Sequence, residues 1–389
     1  MSTKNRRKKE KTGEESKVNI FPPAGLYIHV PFCISKCRYC DFYSLTNKRE
    51  LMPEYVRRVI AAAEYYRNRY ARRYNSLYFG GGTPLLLGEE QLCEILRAVS
   101  PDLEPDAEVT AEGNPAAAGS FDFAALKAAG VNRLSLGLQS SDERELAALG
   151  RIHSPQDAAD TVKAAQAAGI DNISLDLMIG IPYQTAESLL ESARFCAALG
   201  IRHISAYMLK IEPGTPLASS PLRALCAGDE ETADMYLALA EELRRLGFEQ
   251  YEISNFAKPS CESRHNLKYW RCEEYLGIGP AAHSFMDGRR FYFDRDIDGF
   301  LTQPFAQQER EEGEGGGAEE YAMLRLRLCE GLDTDELAKK YPDADAEGIL
   351  RRAALYVKPG LVNIDGGRIS FTPKGFLLSN ALSAEILYE

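Results

Sequence analysis

Tyr27-Ile28-His29-Val30-Pro31-Phe32-Cys33-Ile34-Ser35-Lys36-Cys37-Arg38-Tyr39-Cys40-Asp41-Phe42 is the stretch on which the reading of this chain turns. A short apolar run ends at Val30, and three cysteines spaced C-x3-C-x2-C follow on a more polar loop. Thiolates are the usual ligands of iron–sulfur clusters. A cubane offers four irons, so Cys33, Cys37 and Cys40 leave one iron open to another ligand. Structural zinc takes four protein ligands, and the only nearby fourth, His29, lies in the strand and not in the loop. A zinc-stabilised interaction protein is the alternative this leaves open.

Outward from this segment, strand-like runs recur at 26–30, 76–79, 107–111, 133–138, 173–179 and 203–209. Between them apolar residues return at helical spacing at 53–74, 89–99, 121–129, 154–168 and 186–198. Leu92, Ile95, Leu96 and Val99 share one such face. Gly130, Gly169 and Gly200 stand where helices hand over to the next strand. Six alternating units imply an α/β fold with parallel strands joined by right-handed crossovers. An open barrel and a doubly wound sheet both satisfy that pattern, and both gather reactive groups at the C-terminal strand ends.

After Gly214 the rhythm changes. A long helix is expected at 230–246, an extended segment at 251–256, and a dense motif region at 264–285. The acidic stretch 306–318, with Gly315, Gly316 and Gly317, reads as a flexible linker. A small α+β unit follows, with helices at 319–329, 334–340 and 346–355 and a hairpin of 361–364 with 368–371 around Gly366-Gly367. Helices followed by a hairpin suggest a winged-helix-like module.

The bulk composition narrows the function. A chain of 389 residues, 45% hydrophobic, supports one large core and a smaller one. A net charge of -11 argues against nucleic-acid binding, which wants a basic face. Nowhere is there a run of about 18 apolar residues, as a membrane span requires. Lys4, Arg6, Arg7, Lys8 and Lys9 make residues 1–23 a solvated basic arm and not a secretion signal. Nine cysteines, an odd number, without such a signal favour metal use and reduced thiols in the cytoplasm.

With these residues in view, the cysteine loop resembles that of the radical S-adenosylmethionine superfamily. Gly80-Gly81-Gly82-Thr83-Pro84 resembles the superfamily's glycine-rich motif, whose backbone holds the methionine amino group. The likeness narrows to the oxygen-independent coproporphyrinogen oxidase family and covers nearly the whole chain. It is carried by Glu112-Gly113-Asn114-Pro115, Arg133-Leu134-Ser135-Leu136-Gly137-Leu138-Gln139-Ser140, Asp176-Leu177-Met178-Ile179-Gly180-Ile181-Pro182 and Pro213-Gly214-Thr215-Pro216. The resemblance implies a partial (βα)6 barrel and a [4Fe–4S] cluster completed by S-adenosylmethionine. Gly81, Gly82, Thr83, Glu112, Gln139, Arg151 and Asp176 would contact S-adenosylmethionine, and Tyr27 and Tyr39 would wall the cluster and adenosine. It also divides the chain into a core at 24–230, an extension at 231–305, the linker at 306–318 and a HemN-like domain at 319–389.

Two features separate this chain from the decarboxylating oxidases. Phe42 stands where those enzymes carry another Cys, and His265-Asn266-Leu267-Lys268-Tyr269-Trp270 is similar to a motif of the HemW branch, the haem chaperones. That branch implies haem as a ligand, a haem-acceptor protein and an electron donor as partners, and membrane contact only through an acceptor. His265 is the expected iron ligand, with Tyr269 and Trp270, the sole tryptophan, flanking the porphyrin. Cys261 and Cys272 flank the motif as packed thiols, and His283 would stand near the site's mouth. Oxidative decarboxylation of coproporphyrinogen, or radical modification of haem, is the alternative.

Overall fold

The computed structural model describes residues 21–118 and 121–388; the basic residues between Lys4 and Lys9 lie outside them. Among the described residues the main sheet holds twelve strands. The first six are β1 (Ala24–Val30), β2 (Tyr74–Gly81), β3 (Leu103–Gly113), β4 (Arg133–Gln139), β5 (Asn172–Ile179) and β6 (His203–Met208). Then come β7 (Glu249–Gln250), β8 (Asn255–Ala257), β9 (Tyr275–Ile278), β10 (His283–Met286), β11 (Arg289–Phe293) and β12 (Glu309–Glu314). Their spatial order is β12-β11-β10-β9-β1-β2-β3-β4-β5-β6-β8-β7.

From β9 through β6 every neighbour is parallel. The first six strands also stay in chain order. A doubly wound sheet reverses its order at a switch point, so the fold is the partial barrel.

Period-two alternation gives the sheet two unlike faces. Leu26, Ile28 and Val30 of β1, Leu134, Leu136 and Leu138 of β4, and Ile173, Leu175 and Leu177 of β5 are buried in the apolar layer under the helices. The residues between them point the other way and are polar: Ser76 and Tyr78, Glu108, Thr110 and Glu112, Ser135, Asp176, and Ser205 and Tyr207. This face gives the barrel interior a polar lining.

Helix ends follow local chemistry. Pro155–Ala167 starts on Ser154, which forms a capping box with Asp157, and Ala186–Ala198 starts on a Thr185–Ser188 box. The first helix, expected to run to 74, stops at Tyr70. Ala71 takes a left-handed conformation (φ 49°), and Tyr74 already belongs to β2.

The acidic stretch expected as a linker is a correction. Residues 309–314 form edge strand β12, paired antiparallel with β11. Ion pairs to other elements explain the order: Glu309 meets Arg69 at 2.6 Å, Glu311 pairs with Arg289, and Arg310 with Asp294 at 2.8 Å. A charged edge strand also resists pairing with another chain.

The C-terminal unit comprises helices Ala318–Arg325, Thr334–Lys340, Ala346–Ala354, Pro373–Leu377 and Ser379–Leu387, and a three-stranded sheet of Leu332–Asp333, Arg368–Phe371 and Val362–Asp365. Backbone bonds from Ile253 to Arg327 (3.0 Å) and from Cys329 to Tyr251 (3.0 Å) tie it to the core.

Candidate cofactor site

The cysteine loop leaves β1 at the C-terminal end of the barrel. Phe32–Cys33 pairs with Leu45–Thr46, closing the loop on itself. The Arg38 amide donates to the Leu149 carbonyl (3.0 Å), and its guanidinium to the carbonyls of Ala147 (3.2 Å) and Ala148 (3.0 Å), where helix Glu143–Leu149 ends. A cation there suits the negative end of the helix.

Cys33, Cys37 and Cys40 are half-buried, free of disulfides, and line one pocket of 440 Å³. Tyr39, Gly81, Gly82, Thr83, Glu112, Gln139, Arg151 and Asp176 line it too. The four polar residues drawn from β3, β4, β5 and the turn after Leu149 thus meet at one place.

Each has a visible anchor. Glu112, at the end of β3, accepts from the Tyr78 hydroxyl (2.8 Å) and the Gly81 amide (3.1 Å). Burial, opposed by the Tyr78 bond, lifts its pKa to about 7. Asp176 lies opposite Gly137 on one side and Ser205 on the other, accepts from Ser135 Oγ at 3.5 Å, and has its pKa lifted to about 6, chiefly by burial. Gln139 closes β4 in a left-handed conformation (φ 78°), rare for a residue with a Cβ and found where a site dictates the backbone. Arg151 reaches Cys37 Sγ at 3.4 Å, donates to the Gly137 carbonyl, and keeps a buried Nε without a partner.

The glycine motif also joins two strands. A Cβ on Gly82 would stand 2.7 Å from the Phe32 carbonyl oxygen, and the Gly82 and Thr83 amides donate to Val30 (2.8 Å) and Phe32 (2.7 Å). Gly82 therefore fits β2 tightly against the strand that carries Cys33. Thr83 Oγ1 lies 3.6 Å from Cys33 Sγ.

Two expected site residues stand apart from this pocket. Tyr27 lies outside this pocket: its hydroxyl meets His29 Nδ1 (3.0 Å) and its ring stacks with Tyr78. It faces a second cavity of 560 Å³, lined also by Tyr207, Glu252, Tyr269, Trp270 and Arg327, which shares Glu112 with the first. His265 is 1% exposed, with Nδ1 on Ser76 Oγ (2.9 Å) and Nε2 on Tyr269 Oη (2.8 Å). A neutral imidazole has one N–H and one lone pair, and both are hydrogen-bonded here, while the ring borders the second cavity. Burial, then Lys268 and Arg133, lowers its pKa to about 3.

Ser135, Asn114, Met178 and Tyr207 also line the pockets and were missed. Ser135, Met178 and Tyr207 hold alternate positions of their strands on the side of Asp176, and Asn114 directly follows β3.

The donor set fits an iron–sulfur cluster. Among the described residues no three Cys, His, Asp or Glu side chains converge on one metal ion, whereas a cubane takes each thiolate on a different iron. The unpartnered guanidinium nitrogen of Arg151 and the buried carboxyls of Glu112 and Asp176 suit an amino-acid ligand beside it.

Profiles for the Radical SAM superfamily and the HemN C-terminal domain match residues 27–196 and 318–378. The first implies a [4Fe–4S] cluster and S-adenosylmethionine. The chain is 37% identical over 359 residues to heme chaperone HemW of Escherichia coli (strain K12), covering 86% of this chain and 93% of the relative. It is 36% identical over 383 residues to heme chaperone HemW of Mycobacterium tuberculosis (strain ATCC 25618 / H37Rv), covering 94% and 95%. Among solved structures, coproporphyrinogen III oxidase HemN from Escherichia coli, a radical SAM enzyme, aligns with a TM-score of 0.79 at 21% identity, covering 95% of this chain and 91% of that one. That likeness speaks to the fold. On the strength of the two HemW relatives, this chain belongs to the HemW family of radical S-adenosylmethionine proteins.

Proposed function

We propose that this protein is a haem chaperone, which binds haem and delivers it to an acceptor protein while carrying a [4Fe–4S] cluster and S-adenosylmethionine. Identity of 36–37% with heme chaperones along nearly their whole length carries the reading. Phe42, 69% exposed where a decarboxylase would need a thiol, supports it over coproporphyrinogen oxidation.

Cys33, Cys37 and Cys40 would hold three irons, and the amino and carboxylate groups of S-adenosylmethionine would take the fourth. When bound and reduced, this pair supplies one-electron cleavage of the sulfonium. The chain's own part is positional. Arg151, held by Gly137, offers charge to a carboxylate, and Glu112, Gln139 and Asp176 offer acceptors to an ammonium and to ribose hydroxyls. Tyr39 walls the site against water.

The core at 24–230 would carry both cofactors, and the extension at 231–305 with the C-terminal domain would form the surfaces for haem and acceptor. An electron-donor protein and a cytoplasmic location complete the proposal; no helix among the described residues is long and apolar enough to cross a membrane.

The test is anaerobic reconstitution with iron and sulfide, followed by ferric-haem titration and assay of coproporphyrinogen turnover. Haem binding without porphyrinogen product supports the chaperone. Turnover to protoporphyrinogen makes this a biosynthetic enzyme instead.

A further inference from the structure

A haem carrier needs a free axial donor, flat apolar walls and a cation for the propionates. The chain has five histidines, and their hydrogen bonds separate them. His29 is held by Tyr27 Oη (3.0 Å) and the Tyr43 carbonyl (2.9 Å), and His153 by Asn114 (3.1 Å) and the Leu138 carbonyl (3.1 Å). His203 is held by Ser174 (2.7 Å) and Tyr251 (2.8 Å), and His265 as described above. All four are buried. His283 is different. Its side chain is 55% exposed, its Nδ1 faces Glu312 at 3.4 Å, and its Nε2 has no partner among the described residues.

A carboxylate on Nδ1–H fixes the tautomer and leaves the Nε2 lone pair outward, the usual arrangement behind a metal-bound histidine. The ring is steadied by stacking on Tyr292, 5.1 Å away between centroids. Its backbone is fixed as well. A Cβ on Gly277 would come within 2.2 Å of the His283 carbonyl oxygen, and Ala281, two residues earlier, holds φ at 68°.

His283 borders a cleft of 520 Å³, within the range of ligand sites. Phe42, Tyr43, Tyr275, Tyr292 and Arg295 line it. Phe42 belongs to this cleft and to the cysteine pocket alike, so the two spaces adjoin. Arg295 is held only loosely, 3.7 Å from Asp41, and remains available to a propionate.

The thiols compete poorly. Burial raises the pKa of Cys93, Cys226 and Cys272, pushes Cys329 to about 12 and holds Cys196 higher still, which keeps them protonated.

We propose that His283 Nε2 is the axial ligand of haem iron, with the porphyrin seated in the cleft that Phe42 borders, Tyr292 backing the imidazole, and a propionate on Arg295. The assignment rests on the haem-carrier reading and moves the ligand from His265 to the other end of the motif region.

The test is titration of the full-length protein with ferric haem, read by Soret position, electron paramagnetic resonance and affinity. His283→Ala is expected to lose at least about tenfold in affinity and to shift the spectrum, with added imidazole restoring it. His283→Cys is expected to give a thiolate-ligated spectrum. Circular dichroism and the iron content of the reconstituted cluster should match wild type in both, because His283 packs at the surface. Wild-type spectrum and affinity in both variants would overturn His283 while leaving haem binding intact. Failure of the wild type itself to bind haem would overturn the chaperone reading instead.

Discussion

At the scale of single residues, neighbours decide what each group can do. Cys37 stands in one pocket with Cys33, Cys40 and the Arg151 guanidinium. Cys37→Ala is expected to abolish the visible absorption of the reconstituted protein; full iron and sulfide content in that variant would refute the ligand role. Glu252 is fully buried, its Oε1 accepting from the Ser254 amide (3.1 Å) and its Oε2 unpartnered. Burial raises its pKa from 4.5 to about 7. The folded state therefore binds a proton more tightly than the unfolded chain, so stability is full below pH 4.5 and falls as pH rises through about 7. The loss is on the order of 3 kcal/mol. Glu252→Gln should gain stability relative to wild type at pH 8 compared with pH 5, measured by urea unfolding. A constant difference at the two pH values would show that the carboxyl does not titrate there. The cysteine cluster is legible from spacing alone, and the fold gathers its three thiols in one pocket. That Ser76 and Tyr269 hold His265 was not legible, because Ser76 lies far off in sequence.

At the scale of elements, the strands and most helices were legible because apolar periodicity and capping residues are local. Helix Glu89–Val99 and helix Ala186–Ala198 fall where their periodicity places them. The acidic segment 309–314 was not legible as a strand, since its order depends on Arg69, Arg289 and Asp294 from other elements. The polar alternate positions of β2 through β6 were present in the sequence but looked like ordinary solvent-facing sides. The glycine turn gives the sharpest test at this scale. Gly82→Ala places a methyl against the Phe32 backbone, and should cost about 1–3 kcal/mol and lower cluster occupancy, because the displaced residue adjoins Cys33. Iron content and thermal unfolding read both effects; wild-type values of each would show that the strands part without strain.

For the whole molecule, cofactor and fold are linked. S-adenosylmethionine at 100 times its Kd should stabilise the protein by about 2.7 kcal/mol, seen as a higher unfolding temperature. That gain should appear with the cluster in place and largely vanish after chelation, because the open iron supplies part of the binding. Equal shifts with and without cluster would separate the ligand from the iron. The sequence by itself determined the kind of cofactor and the order of elements, since a three-thiolate loop, a glycine turn and helix caps are written within a few residues of one another. Only the tertiary structure decided the partial barrel over a doubly wound sheet. The strand register was likewise needed to bring Glu112, Gln139, Arg151 and Asp176 to one pocket and to leave His283, and not His265, with a free nitrogen. Those outcomes depend on contacts between residues far apart in the chain, and local spacing carries no record of them.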